Sequence, residues 1–111
     1  MSAAKAKGTR AERQVAEYLQ ESGWPYTERR AMAGRNDHGD ISGLPGVVIE
    51  VKAAARMELA MWLGEAHAER VAPADIALVW HKRRGKGSPA DWYVTMDGAT
   101  AVELLRAWTE E

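Results

Sequence analysis

Gly39-Asp40-Ile41-Ser42-Gly43-Leu44-Pro45-Gly46-Val47-Val48-Ile49-Glu50-Val51-Lys52 is the stretch on which the fold turns. It predicts two strands, 40–43 and 47–53, reversed at Leu44-Pro45-Gly46, where proline presets φ and glycine accepts a positive one. A reversal centred near Pro45 sets residue 40 opposite residue 50. Side chains opposed in this way lie roughly 5 Å apart at Cβ, near enough to share one divalent cation. Glu50 and Lys52 stand two residues apart and so project from one face of their strand. A charged face on the otherwise apolar Val47–Val51 run is accounted for by a metal-dependent hydrolytic site. The plainer account is a solvated strand edge with a weak ion pair.

On either side of this stretch the pattern is helical. Residues 9–22 read as a helix with Val15, Tyr18, Leu19 and Ser22 recurring at helical spacing, stopped by Gly23. Trp24-Pro25 opens an extended segment toward Met32, and residues 33–39 form a loop that delivers Asp40. Residues 57–71 form a second helix with Leu59, Trp62, Leu63, Ala66 and Arg70 along one stripe, ended by Pro73. Ile76–Trp80, apolar throughout, reads as an internal strand, and Trp92–Met96 as another. Asp97 caps a last helix with Ala101, Leu104, Leu105 and Trp108 inward. The order αβββαββα implies an α/β (α+β) chain: a mixed β-sheet flanked by helices.

A chain of 111 residues with net charge −1 fits a single domain, 1–111, with one core. No apolar run approaches the roughly 18 residues of a membrane span, and no signal-peptide core follows Met1, so no membrane association is expected. The absence of cysteine excludes disulfides and thiolate metal sites and fits a reducing compartment. Basic residues cluster even though the total is near neutral. Lys5, Lys7 and Arg10 stand together without an acid, as do Arg29, Arg30 and Arg35, and the 81–89 stretch carries Lys82, Arg83, Arg84 and Lys86. Local cationic patches of this kind suit phosphate contact, although a Lys/Arg/Gly tip is equally a solvated loop. His38, His67 and His81 match no familiar zinc spacing.

Glu12 has two readings. It extends the buried stripe of Val15, Ala16 and Leu19 by one turn, and a carboxylate aimed at a sheet ordinarily has a partner or a metal. Alternatively, Thr9-Arg10-Ala11-Glu12 is a capping box whose glutamate bonds back to the N-cap amide. On the residues alone the cap is the simpler of the two.

Three motifs, Lys7-Gly8-Thr9-Arg10-Ala11-Glu12-Arg13, Gly39-Asp40-Ile41 and Ile49-Glu50-Val51-Lys52, resemble in order and spacing the archaeal-type Holliday-junction resolvases and their phage relatives, within the PD-(D/E)xK nuclease superfamily. The resemblance covers most of the chain and implies a restriction-endonuclease-like core. It implies that Asp40 and Glu50, with the Val51 carbonyl, hold Mg²⁺ (Mn²⁺ expected to substitute), that Lys52 assists the attacking water, and that Glu12 completes the acidic site. It moves Glu12 from cap to site. The expected substrate is branched DNA, the four-way junction above all, with Arg10, Arg29, Arg30, Arg35, Lys82, Arg83, Arg84 and Lys86 on its phosphates. A homodimer follows from the two paired cuts such a junction requires, with tryptophans 62, 80, 92 and 108 available either to its interface or to an ordinary core. No small-molecule cofactor is implied, and the expected location is cytoplasmic, in a prokaryotic cell or phage-infected host. Gly39 stands where many superfamily members have proline, and the serine that archaeal members often carry upstream is not evident in residues 32–39. The rival readings are a related nuclease acting on flaps or linear duplex, and a nonenzymatic module that binds branched DNA.

Overall fold

The computed structural model describes residues 2–30, 39–72 and 75–110. In chain order these form α1 (Ala3–Glu21), β1 (Glu28–Arg29), β2 (Ile41–Ser42), β3 (Val47–Lys52), α2 (Leu59–Ala68), β4 (Ile76–His81), a short 3₁₀ turn (Pro89–Asp91), β5 (Tyr93–Thr95) and α3 (Gly98–Thr109). The architecture is α+β, with three helices and mixed sheets, in the expected element order. No helix among the described residues is long and apolar enough to cross a membrane.

β4 lies in the middle of a three-stranded sheet, parallel to β3 and antiparallel to β5. Its central place accounts for the lack of charge in Ile76–Trp80: β3 pairs with it along its length, β5 pairs with Val79–His81, and Ala77 and Val79 are fully buried. The second ladder is small, with β1 antiparallel to β2 in the register Glu28↔Ser42 and Arg29↔Ile41. The expected 40–43/47–53 hairpin is therefore not a continuous ladder. Its reversal is nevertheless as read, since Val47 N donates to Leu44 O at 3.1 Å and Gly46 has φ 80°, a type II turn with proline at its second position. Across it, Asp40 N donates to Ile49 O at 2.8 Å, tying the small ladder to the edge of β3.

The two faces of β3 feed two cores. Ile49 and Val51 pack with Ala11, Val15, Ala16 and Leu19 of α1, Ile41 and Trp92, whereas Val48 packs with Trp62, Ala66, Ala77 and Val79 on the α2 side. Fully burying each large aliphatic side chain contributes about 1.5–3 kcal/mol. The alternation places Glu50 and Lys52, in phase with Val48, on the α2 face.

Several helical expectations are corrected. Helix α1 starts at Ala3, capped by Ser2, whose Oγ accepts from Lys5 N at 3.1 Å. Thr9 and Glu12 are therefore mid-helix, and the capping-box reading fails. Ala3–Lys7 is helical by propensity alone, with no apolar stripe to reveal it. Ser22 is exposed, its hydroxyl bonded to Tyr18 O at 2.7 Å. In α2 only Trp62 and Ala66 are buried, and Leu59 and Arg70 are exposed. Pro73, expected to end this helix, lies outside the described residues, and α2 already ends at Ala68. In α3 Asp97 does cap the helix, accepting from Thr100 N at 2.8 Å, but the apolar side faces outward. Leu104, Leu105 and Trp108 are 39%, 61% and 83% exposed.

Candidate active site

The free edge of β3 builds the site. Gly46 O and Lys52 O accept from β4 and its extension, so residues 47, 49 and 51 turn their backbone groups to the opposite edge. There Asp40 docks. Its amide donates to Ile49 O, and its Oδ2 accepts from Val51 N at 2.7 Å. The side chain is thereby fixed beside residues 49–51, as the 40-opposite-50 register predicted, and the Val51 carbonyl opens onto the same edge. Gly39 makes this approach possible. Its φ is 92°, and a Cβ there would lie 3.0 Å from Ile49 O. Proline, locked near φ −65°, is incompatible with that backbone, which gives the Gly39 departure a local physical reason.

Glu50 and Lys52 share the α2 face, with Nζ 3.9 Å from Glu50 Oε2. Two residues not foreseen join them from α2 and its C-cap, Glu65 and Glu69. Lys52 Nζ donates to Glu65 Oε2 at 2.8 Å, and Glu69 contacts the Glu50 carboxyl. From α1, Glu12 Oε1 accepts from Arg29 Nε at 2.8 Å and lies close enough to Asp40 to feel its charge. The connected cluster thus opposes five carboxyl groups (Glu12, Asp40, Glu50, Glu65, Glu69) with two cations, Arg29 and Lys52.

Burial, and then that imbalance, govern ionisation. Burial, then a hydrogen bond to Glu69 and the charges of Asp40 and Glu69, push the Glu50 carboxyl up to about 10 against the pull of Lys52. Burial also raises Asp40, opposed by the Val51 amide and the hydrogen bond from Glu50. Glu12 is raised by burial and by Asp40, opposed by Arg29. Burial pulls Lys52 downward, but the bond to Glu65 and the charges of Glu65, Glu50 and Asp40 outweigh it, so its ammonium is held charged.

These residues fit a hard divalent cation, which takes oxygen donors. Among the described residues no hydrogen-bond donor faces the buried Glu69 Oε2, and the contact of Glu69 with Glu50 needs a proton or a cation between the two carboxyls. Among the described residues, no three carboxyl or imidazole groups already converge closely enough to cage an ion. Asp40, Glu50 and Glu69 instead approach in pairs.

The expected phosphate contacts disperse. Arg29 is occupied by Glu12, and Arg30, whose amide donates to Asp40 O at 2.8 Å, lines a cavity beside the Leu44–Gly46 turn. Arg10, Arg84 and Lys86 are exposed, Arg83 lies over the Tyr93 ring at 5.2 Å and Lys82 over the Trp92 ring at 5.8 Å. Arg35 and His38 fall outside the described residues. His67 pairs with Asp97 at 3.0 Å. His81 is buried between Trp62 and Tyr93, its Nε2 2.8 Å from Thr95 Oγ1. Those two histidines make no joint metal site. Trp62 and Trp92 are core, and only Trp108 among the four tryptophans considered for an interface is exposed.

Glu65 and Glu69 left one sequence signal: two carboxylates four apart, flanking the buried Trp62/Ala66 stripe. Comparison of the chain with family models, with curated proteins and with solved structures returned no match.

Proposed function

We propose that this chain is a metal-dependent DNA endonuclease with a restriction-endonuclease-like core, hydrolysing phosphodiesters at branched DNA and resolving four-way junctions by paired cuts. The observation that carries the reading is the excess of carboxylates gathered, among the described residues, at one β-strand edge around a single lysine, with one buried oxygen left there without a donor. In the proposal Asp40 and Glu50 hold Mg²⁺ or Mn²⁺ together with the Val51 carbonyl, and Glu69 is a further candidate ligand. When bound, the cation supplies positive charge to the scissile phosphate and makes water at the site more acidic.

The protein's own groups do the rest. The Val51 amide orients Asp40 through Oδ2, and the hydrogen bond Asp40 accepts from Glu50 is the contact a cation would replace. Glu65 holds Lys52 as a cation, suited to stabilising charge that builds on the phosphate rather than to taking a proton from water. Arg29 holds the Glu12 carboxyl through a 2.8 Å bond and opposes the burial that raises it. A second copy of the chain supplies the second cut, and the exposed apolar side of α3 is the surface proposed to meet it.

The test is a labelled four-way junction, with flap and linear duplex controls, incubated with the wild type in Mg²⁺ or chelator and with Asp40→Asn. Symmetrical nicking of the junction that needs Mg²⁺ and falls at least a hundredfold in Asp40→Asn supports the reading, on the scale of losing a metal ligand or its orientation. Equal rates for the two proteins remove the mechanism. Flap or duplex cleavage alone moves the substrate to a related nuclease class, and junction binding without nicking moves it to a nonenzymatic module.

A further inference from the structure

We infer that the cavity beyond the ends of β3 and β4 seats an unpaired nucleotide of the DNA strand next to the scissile phosphate. The cavity is about 380 Å³ and lies between α1, the segment after β3 and the loop after β4. This rests on the nuclease reading and adds to it the structural feature that the substrate must present.

Position comes first. β3 and β4 run parallel and finish side by side at Lys52 and His81. The Lys82 amide donates to Lys52 O at 2.8 Å, and Ala53 directly follows the site lysine. The cavity therefore opens where the parallel strands end, the usual ligand position in such sheets. It lies on the side of α1 and Ala53 rather than that of the Lys52 side chain, so a strand with its phosphate at Lys52 reaches it by passing round the end of β3.

Its chemistry is divided. Lys7 from α1, together with Lys82 and Arg84 from the loop after β4, supply three cations, and among the described residues no acid lines the cavity. Ala53–Ala55 and Met57 form an apolar wall. A free phosphate needs no such wall, and an intact duplex keeps its flat base faces stacked inside, away from it. One nucleotide with its base turned out of the stack offers both surfaces: an apolar base face and a phosphate. The volume is at the lower end of small-ligand sites, which run from about 300 to 1,000 Å³.

The loop that frames the cavity is fastened. Trp92 Nε1 donates to Lys86 O at 2.8 Å, Trp80 Nε1 to Pro89 O at 3.1 Å and Gln14 Nε2 to Gly87 O at 3.2 Å. Arg83 lies over Tyr93 and does not line the cavity, whereas Arg84 and Lys82, the latter with its Nζ 5.8 Å from the Trp92 ring, do. A cavity held in shape before binding loses less freedom when occupied. Intact duplex must first unstack a base to enter it, whereas a branch point, flap or frayed end need not. The cavity thus provides a physical basis for selecting branched DNA.

The experiment measures anisotropy of a fluorescein-labelled 12-nucleotide single strand and of the matching duplex, both bound to the full-length chain in chelator, so that cleavage plays no part. The wild type is expected to bind the single strand roughly tenfold more tightly. Ala55→Trp and Ala54→Trp, at exposed positions, fill the cavity and bring that preference below about twofold. Lys82→Ala with Arg84→Ala weakens binding to both DNAs and lowers the salt slope by roughly two. Equal or tighter duplex binding by the wild type overturns the inference, as does a preference that survives both tryptophan variants. A single-strand preference without Mg²⁺-dependent nicking would sink the nuclease reading and leave the cavity assignment standing. Nicking without the preference would do the reverse.

Discussion

Replacing Glu50 by glutamine puts the electrostatics of the cluster to a direct test. Unfolded, this carboxyl ionises near 4.5; folded and metal-free, it holds its proton up to about 10. Between those values the native state carries one proton more than the unfolded state, so stability falls as pH rises, by up to about 1.4 kcal/mol per pH unit. Across pH 6 to 9 the loss reaches about 4 kcal/mol at most, a large part of the 5–15 kcal/mol typical of a folded domain. Glutamine is nearly isosteric and has no proton to lose, so Glu50→Gln lacks this slope. Urea denaturation in chelator, followed by tryptophan emission, reads both proteins at several pH values. The two should agree within about 1 kcal/mol at pH 6, and the variant should become the more stable as pH rises toward 9. Adding Mg²⁺ should restore the wild type at high pH and leave the variant less affected. A stability difference that stays constant from pH 6 to 9 would show that Glu50 is not the proton holder and would refute the argument.

Three further outcomes are expected. Gly39→Ala forces a side chain into a left-handed backbone against Ile49 O and should lower stability by roughly 1–3 kcal/mol, seen as a drop of several degrees in Tm, with loss of nicking as Asp40 is displaced. Arg29→Ala leaves the Glu12 carboxylate without its 2.8 Å partner and should destabilise by about 1–2 kcal/mol at pH 8. That deficit should shrink as pH falls and Glu12, already raised by burial, takes up a proton, which denaturation at pH 5 and pH 8 would show. Trp108→Asp, at an exposed site of α3, should leave the melting curve of dilute protein unchanged while shifting light scattering at micromolar concentration from the mass of two chains to that of one.

The strands and turns were legible because their signals are local. The Leu44-Pro45-Gly46 reversal needs only backbone chemistry, the uncharged Ile76–Trp80 run announces a central strand, and Asp97 caps its helix with its own side chain. The pairing of Asp40 with residues 49–51 followed from counting across the turn, although two hydrogen bonds rather than a ladder secure it. The start of α1 was hidden because Ala3–Lys7 is held by propensity and by the Ser2 cap, without apolar periodicity. α3 misled for the opposite reason: its stripe of Leu104, Leu105 and Trp108 is periodic, but periodicity does not say which body covers it. Glu65 and Glu69 went unread because a carboxylate flanking an apolar helical stripe looks like ordinary solvent-facing charge until Lys52 and Glu50 are placed opposite. Arg29 looked like a phosphate ligand because its partner lies 17 residues away on another element.

The most direct measurement is calorimetric titration of Mn²⁺ into the metal-free chain at pH 7, in two buffers that differ in ionisation heat, with wild type and Asp40→Asn. A cation entering between Asp40 and Glu50 must displace the proton that Glu50 holds, so about one ion should bind per chain with close to one proton released. Affinity should fall at least tenfold in Asp40→Asn. Absence of binding, binding without proton release, or equal affinity for the two proteins would contradict the account.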